Sequence, residues 1–459
     1  MKSFLSLSLL VLSQIAISLA ISPITVKGNA FFDDDGNRFY IRGVDYQPGG
    51  SSNLVDPLAD STICERDVAY FTELGINTVR VYSVDNTADH DDCMNTLANA
   101  GIYVVLDVNT PYASIASESA ACSYNTDYIQ QVLASVAKFA VYNNTLGYWA
   151  GNEVIHDAGS VSAAPYVKAV VRDMKTFLQN RKFRQIPVGY SAAAIDEYKV
   201  PTAEYFNCGD DDLARVDMFG FNDYSWCGDA SISTSGYQQD LEGFNNYSIP
   251  LFFSEFGCNT VSPRPFTEVE AIYSTQMSSV FSGGLVYEYS QEVSNYGLVT
   301  INSDTSVTPN QDFTNLKNQF GNVTDPSGDG GYKSNLTYAS CPGSSSIWNA
   351  TTNIPDTPKG ALIYIDGFVN PVGQGFNATT QWACADPDDN VDTTGNYTST
   401  LGSPAVFSGS GSSTSTSSSS SSSSTSTKKS EADNLIPSHY VNKVNYLGFF
   451  AVLVGFALI

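Results

Sequence analysis

Between Ile24 and about residue 305, short runs of consecutive β-branched and aromatic residues alternate with stretches of helical length. Eight runs predict strands: "FYIRGVDYQ" (39–47), "INTVRVYSVD" (76–85), "GIYVVLDVNT" (101–110), "TLGYWAGNEV" (145–154), "IPVGYSAA" (186–193), "RVDMFGFNDYSW" (215–226), "IPLFFSEFGCN" (249–259) and "GGLVYEYS" (283–290). Between them, segments such as "CERDVAYFTEL" and "DYIQQVLASVAKFAVY" place apolar residues on one helical face. Strands that are apolar on both faces need cover on both sides, which points to a parallel sheet wrapped by helices. Eight such repeats over roughly 280 residues match an α/β fold of the (β/α)8 TIM-barrel type, which takes about 250. A doubly wound open sheet is the competing architecture, and no G-x-G-x-x-G supports it.

Beyond the barrel, expected over 21–305, the pattern changes. From 306 to about 400 the helical spacing fades and Gly, Pro and Asn accumulate, while "KGALIYIDGFV" (359–369) still reads as a strand. A small β-rich C-terminal extension, stapled through Cys341 and Cys384, is the expectation. The run "SSTSTSSSSSSSSTST" cannot build a core, so 401–430 read as an extended Ser/Thr-rich stalk. Residues 1–20, with a basic start, an apolar stretch and small residues Ser18 and Ala20, read as a secretory signal peptide. At the other end, 431–459 combine a polar spacer with the apolar tail "NYLGFFAVLVGFALI". Small residues, spacer and tail in that order are a signal for exchange with a glycosylphosphatidylinositol (GPI) anchor, and the tail is short for a spanning helix.

Composition adds a compartment. Eight cysteines, Cys64, Cys93, Cys122, Cys208, Cys227, Cys258, Cys341 and Cys384, suggest disulfides in an exported chain, with pairing left open. Seven N-x-S/T sequons, at Asn143, Asn246, Asn322, Asn335, Asn349, Asn377 and Asn396, fit a glycosylating secretory pathway. The expected location is the extracellular face of the plasma membrane, or the cell wall. A net charge of −25 argues against a nucleic-acid partner, since phosphate binding needs clustered Lys and Arg. Many Tyr, Phe, Asn and Ser with few charges suit neutral polar ligands such as sugars.

In a barrel of this type, reactive side chains gather at the C-terminal strand ends. There the sequence puts Gln47, Tyr82, Asp107, Asn152, Glu153, Tyr224, Glu255 and Tyr287. Glu153 ends the fourth strand and Glu255 the seventh, so both point into one cleft. Cleavage of a glycosidic bond needs one carboxylic acid to protonate the leaving oxygen and one carboxylate across the anomeric carbon. Glu153 suits the acid/base role and Glu255 the nucleophile, whose charge is expected to keep Glu153 protonated. Asn152 is placed to hold a sugar 2-hydroxyl, Tyr224 to donate to Glu255, and Arg80 to pair with Glu255 and keep it ionised.

Other chemistries lack parts. Ser191 in "GYSAA" is not in a nucleophile elbow. Of His90, His156 and His439, none belongs to an H-E-x-x-H pair, and "DDDGN" (33–37) lacks the later Glu of a calcium loop. Neither a metal nor a cofactor is expected, and the chain is expected to act as a monomer.

Taken together, "GVDYQPGG", "NTVRVYSVD", "YWAGNEV", "FNDYSWCG", "SEFGCN" and "GGLVYEYSQEVSNYGLV" resemble the fungal β-1,3-glucanosyltransferases of glycoside hydrolase family 72, anchored enzymes of cell-wall assembly. The resemblance runs in order across the barrel and more loosely to about 400. It implies Glu153 as acid/base, Glu255 as nucleophile, and Gln47, Tyr82, Asp107, Asn152, Tyr224, Tyr287 and Tyr296 lining donor and acceptor subsites. It also implies bridges Cys64–Cys93, Cys208–Cys341 and Cys227–Cys258, with Cys122 and Cys384 unassigned. With Cys384 alone between Cys341 and the Ser run, the chain resembles the shorter subgroup without a C-terminal cysteine-rich module. The implied partners are a β-1,3-glucan donor and acceptor. Tyr287, Tyr289 and Tyr296 are candidates for stacking on the acceptor. The rival readings are a retaining endo-β-1,3-glucanase that passes the intermediate to water, and a wall-binding protein on a silent barrel.

Overall fold

Eight parallel strands close on themselves in sequence order: β1 (Ile41–Tyr46), β2 (Thr78–Val81), β3 (Tyr103–Asp107), β4 (Thr145–Asn152), β5 (Val188–Ala193), β6 (Met218–Asp223), β7 (Leu251–Phe256) and β8 (Phe281–Val286). Each falls within one of the eight apolar runs or overlaps it by most of its length. The computed structural model describes residues 21–372 together with 380 and 381. The signal peptide, stalk and anchor signal expected from the sequence lie outside the described residues, as do Asn377, Cys384 and Asn396. Among the described residues no helix is long and apolar enough to cross a membrane.

The helices follow from their caps and their apolar spacing. Helix α1 (Ser61–Leu74) starts where the Asp60 carboxylate accepts the Thr62 and Ile63 amides and stops at Gly75, whose φ of 72° is left-handed. Its buried residues, Cys64, Asp67, Val68, Phe71 and Leu74, recur at helical period against the barrel. Helix α2 spans Asp91–Asn99. Helix α3 (Thr126–Phe139) is capped by Asn125, and α4 (Ala164–Asn180) carries Pro165 in its first turn, where its missing amide costs nothing. Helices α5 (Lys199–Phe206), α6 (Tyr237–Phe244) and α7 (Glu268–Ile272) complete the ring with α8 (Gln311–Asn322), which buries Phe313, Leu316 and Phe320.

The barrel interior is a packed core. Ile41, Tyr103, Val105, Leu146, Trp149, Met218, Phe252 and Leu285 fill its N-terminal half. A three-stranded antiparallel sheet (Thr25–Lys27, Ala30–Phe32, Arg38–Phe39) plugs that end with Ile24 and Phe31. The fully buried Trp149 indole is accommodated because its neighbours have no side chain: a Cβ at Gly220 would lie 2.7 Å from the ring and 2.6 Å from the Ser254 Cβ. At the closing seam β8 pairs with β1, and Gly283, at φ 91°, lies so close to Ile41 that its Cβ would be 2.0 Å from the Ile41 carbonyl oxygen. Closure requires glycine there.

The extension departs from expectation. Among the described residues, its β ladder is a hairpin, Val299–Ser303 with Ser306–Pro309, which leads into α8. From 323 to 372 the chain is mainly irregular, and the strand expected at 359–369 is instead a helical turn followed by α9 (Leu362–Asp366). Ala361, Ile365 and Val369 are buried while Leu362 and Ile363 are about half exposed (46% and 50%). That spacing of four is helical, so the run buries one stripe rather than alternate residues. Side chains tie the segment down: Trp348 packs on Tyr205, and Arg172 donates to the Pro355 carbonyl and the Thr357 hydroxyl. Three bridges, Cys64–Cys93, Cys208–Cys341 and Cys227–Cys258, are formed as the resemblance implied. Cys122 is disulfide-bonded as well.

The fit around Trp149 generates a stability prediction. Gly220→Ala must displace Trp149 or Ser254 and is expected to cost about 1–3 kcal/mol. A melting temperature equal to that of the native protein would show that the barrel centre has slack.

Candidate active site

The upper half of the barrel replaces apolar packing with a polar network centred on Arg80, which is fully buried. Its five N–H groups each find an acceptor. Nε and Nη2 donate to the two carboxylate oxygens of Asp107 (2.8 and 3.1 Å), and Nη2 also donates to Asn152 Oδ1 (3.0 Å). Nη1 donates to Glu255 Oε1 (3.2 Å) and the Ser254 carbonyl (3.3 Å). The guanidinium carbon lies 4.2 Å from the Tyr82 ring centroid.

Two interruptions of strand register aim the glutamates. Side chains alternate along a strand, so Trp149 and Asn152, three apart, can both face inward only if β4 slips, and its register with β5 shifts between them. Glu153 follows at φ 50°, a left-handed conformation that costs a non-glycine residue about 1 kcal/mol or more. It turns the side chain back to the cleft, where Oε1 accepts from Asn222 Nδ2 at 2.9 Å. On β7 the register with β6 shifts between Phe253 and Glu255, and the adjacent Ser254 and Glu255 both reach the network.

Glu255 is 7% exposed. Beside Arg80 it accepts the Tyr82 hydroxyl on Oε1 (2.8 Å) and the Tyr224 hydroxyl on Oε2 (2.7 Å). Burial pushes its carboxyl up to about 7; Arg80 and the two hydroxyls pull it down, and the charge of Glu153 pushes it up. Glu153 and Glu255 are thus near enough to sense each other. They are linked through Asn222, whose Nδ2 holds both Glu153 Oε1 and Asn152 Oδ1, and through Arg80, which holds Asn152 and Glu255.

The other expected residues divide by role. Asn152 Oδ1 also accepts from Ser191, so its orientation is fixed by three donors on three strands. Its Nδ2 forms no hydrogen bond among the described residues and is left for a ligand. Asp107, 2% exposed, has both oxygens engaged by Arg80, so it anchors the guanidinium from below the cleft. Gln47 is placed at the end of β1 and is 8% exposed. Tyr82, Tyr224, Tyr287 and Tyr296 form an edge-to-face cluster beside Glu255, with centroids 5.3 to 6.5 Å apart. Tyr289 does not join them: it is fully buried and donates to Asp67 at 2.8 Å, a core role. His156 is exposed, with Nδ1 3.2 Å from the Glu153 carbonyl.

Four participants escaped the sequence reading. Asn222 is the penultimate residue of β6, two before Tyr224 in an N-x-Y sequence that marked the strand but gave Asn222 no role. Ser191 and Ser254 share a hydrogen bond (2.9 Å) and both reach Asn222 Oδ1, and neither carries a sequence signal. Asp45, in the middle of an apolar run, is fully buried inside the polar half.

A family model described as glucanosyltransferase, glycoside hydrolase family 72, matches residues 13–324. 1,3-beta-glucanosyltransferase PGA4 of Candida albicans is 65% identical over 391 residues, covering 85% of this chain and 86% of that protein. 1,3-beta-glucanosyltransferase GAS5 of Saccharomyces cerevisiae is 57% identical over 365 residues, covering 79% and 75%. Among solved structures, a Saccharomyces cerevisiae Gas2p mutant in complex with laminaritetraose and laminaripentaose superposes with a TM-score of 0.68 at 40% identity, over 74% of this chain and 75% of that one.

Two predictions concern protons. Glu255, Glu268 and Glu288 are pushed by burial up to about 7 and Asp223 up to about 6, all above their ordinary values of 4.5 and 3.8. The folded chain therefore holds these protons to higher pH than the unfolded chain does. Stability from this source is complete at low pH and is lost as pH rises through 6 to 7. The melting temperature is expected to be higher near pH 5 than near pH 8, and a rise over that interval would contradict it. Separately, the Tyr224 hydroxyl stabilises ionised Glu255, so Tyr224→Phe should move the acid limb of the pH–rate profile up by about one unit. An unmoved limb would remove Tyr224 from the control of Glu255.

Proposed function

The chain belongs to the glucanosyltransferases of glycoside hydrolase family 72, and from that premise we propose how its cleft acts. The protein is a 1,3-beta-glucanosyltransferase: it cuts a β-1,3-glucan chain and passes the new reducing end to the non-reducing end of a second glucan, elongating it. The observation that carries this reading is the joining of Glu153 and Glu255 by one continuous hydrogen-bond network in a family-matched barrel. That Gas2p binds laminari-oligosaccharides as a glutamate-to-glutamine mutant supports a carboxyl-dependent reaction on this substrate class.

The steps follow from the two carboxyls. Glu153, protonated, gives its proton to the glycosidic oxygen as the C1–O bond breaks, and a Glu255 oxygen bonds to C1, releasing the portion that carries the original reducing end. Arg80, Tyr82 and Tyr224 hold the attacking carboxylate in one rotamer and supply the donors that keep it ionised. The ester then carries no charge on Glu255, and Glu153, now ionised, takes the proton of an incoming sugar hydroxyl as that oxygen bonds to C1. Two inversions restore the original configuration.

Transfer prevails over hydrolysis when a sugar hydroxyl is held at higher effective concentration than water. Tyr287, partly exposed, and Tyr296, more deeply set, are braced edge-on by Tyr224 and offer ring surface for a sugar, and Asn152 Nδ2 offers a donor for the 2-hydroxyl. The protein works at the outer face of the plasma membrane, held by a GPI anchor, as a glycosylated monomer. The exposure of Asn143, Asn246, Asn322, Asn335 and Asn349 supports glycosylation.

Product sizing tests the reaction. Incubation of the purified protein with a reduced laminari-oligosaccharide should give chains longer than the substrate. Shorter chains alone would make it a hydrolase, and unchanged substrate a binding protein. Glu255→Gln should lower turnover by at least about 1,000-fold, and native-like turnover in that variant would overturn the nucleophile assignment.

A further inference from the structure

Asp45 lies beside Arg80 in the register of β1 and β2 and is fully buried. Neither of its carboxylate oxygens has a hydrogen-bond partner. The neighbouring cation has nothing left to give it, because all five N–H groups of Arg80 are taken by Asp107, Asn152, Ser254 and Glu255. Glu255, by contrast, receives three donors, from Arg80, Tyr82 and Tyr224.

The groups that face Asp45 are Arg80 and Tyr82 on β2 and its outgoing loop, Asp107 on β3, Glu255 on β7, and the Tyr224 and Tyr287 hydroxyls above it. One cation thus serves three carboxyls. An ionised carboxylate without a donor in a buried site is far costlier than a neutral acid. When one proton is to be placed in the cluster, it belongs on the carboxyl with no donors.

We propose that Asp45 is a neutral carboxylic acid in the working enzyme, a positioning residue that keeps the shared proton off Glu255 and backs the Tyr82 hydroxyl from beneath. Burial first, then the charges of Glu255 and Asp107, hold the Asp45 carboxyl well above the ordinary range, against the opposing pull of the Arg80 charge and of the Tyr82 hydroxyl beside it. The Tyr82 hydroxyl has one hydrogen, which it gives to Glu255, so its oxygen can accept from the protonated Asp45. A phenol that accepts a hydrogen bond donates a stronger one. The inference rests on the nucleophile assignment of Glu255.

Two variants and one spectrum test it. Asp45→Asn replaces a neutral acid with a neutral amide of the same shape, and Asp45→Ala removes the donor. Asp45→Asn is expected to melt like the native protein, to lose no more than about threefold in kcat, and to leave the acid limb in place. Asp45→Ala is expected to lose about tenfold in kcat and to shift the limb to higher pH. An acid limb about one unit or more lower in Asp45→Asn would overturn the proposal, since removing a negative neighbour would then have eased ionisation of Glu255. Equal losses in the two variants, or failure of Asp45→Asn to fold, would also overturn it. In infrared difference spectra at neutral pH, the carbonyl stretch of a protonated carboxyl should be present in the native protein and missing in Asp45→Asn. Its absence from the native protein would refute the proposal without reference to turnover, whereas the nucleophile assignment stands or falls on Glu255→Gln.

Discussion

A single buried guanidinium organises the catalytic half of this barrel. Arg80 cannot lose its charge and carries five donors in a rigid fork, so burying it obliges the fold to supply acceptors in fixed directions. Asp107 meets two of those donors from below, and Asn152, Glu255 and the Ser254 carbonyl meet the rest from β4 and β7. Since these acceptors come from three other strands, satisfying Arg80 and assembling the cleft are one requirement. A buried pair with one partner missing typically costs about 3–5 kcal/mol, which ties the integrity of the site to that of the barrel.

The same constraint accounts for the irregular backbone at the strand ends. A regular strand would send Glu153 and Glu255 to the faces opposite those of their preceding residues, Asn152 and Ser254, which the network also needs. The register shifts on β4 and β7 and the left-handed turn at Glu153 bring consecutive residues to one cleft. Strain of this kind persists where surrounding contacts over-determine it. Here they include the Glu153 amide donating to the Ser191 carbonyl at 2.9 Å and the Asn222 amide on its side chain. Below the network, the fully buried Trp149 ring packs against Gly189 and Gly220 and forms an apolar floor.

Electrostatics then sorts the carboxyls by their donors. Asp107 is paired in bidentate fashion, Glu255 is held by three donors, and Asp45 has none. On the reading proposed above, three carboxyls within a few strands of each other thereby become an anchor, a nucleophile and a neutral acid. The tyrosines divide in the same way. Tyr82 and Tyr224 spend their hydroxyls on Glu255, Tyr289 spends its own on Asp67, and Tyr287 and Tyr296 keep ring faces beside the cleft.

Much of this was legible in the chain itself. Continuous apolar runs at regular spacing determined the eight strands and the barrel, because burial on both faces leaves a pattern that needs no knowledge of neighbours. Strand-end position was enough to single out Glu153, Glu255, Asn152 and Tyr224, and Arg80 followed as the cation available to pair with Glu255. Periodicity failed at 359–369, where a short apolar run is compatible with a strand or a helix and packing on the barrel's helices chose the helix. The hydrogen-bonding roles of Asn222, Ser191, Ser254 and Asp45 were not legible for a related reason. Their importance lies in which donors and acceptors surround them, and a hydrogen bond between residues tens to hundreds of positions apart leaves no local trace in sequence. Sequence alone determined which side chains reach the mouth of the barrel; only the closed tertiary structure decided which of them share a proton, because that depends on counting donors in three dimensions.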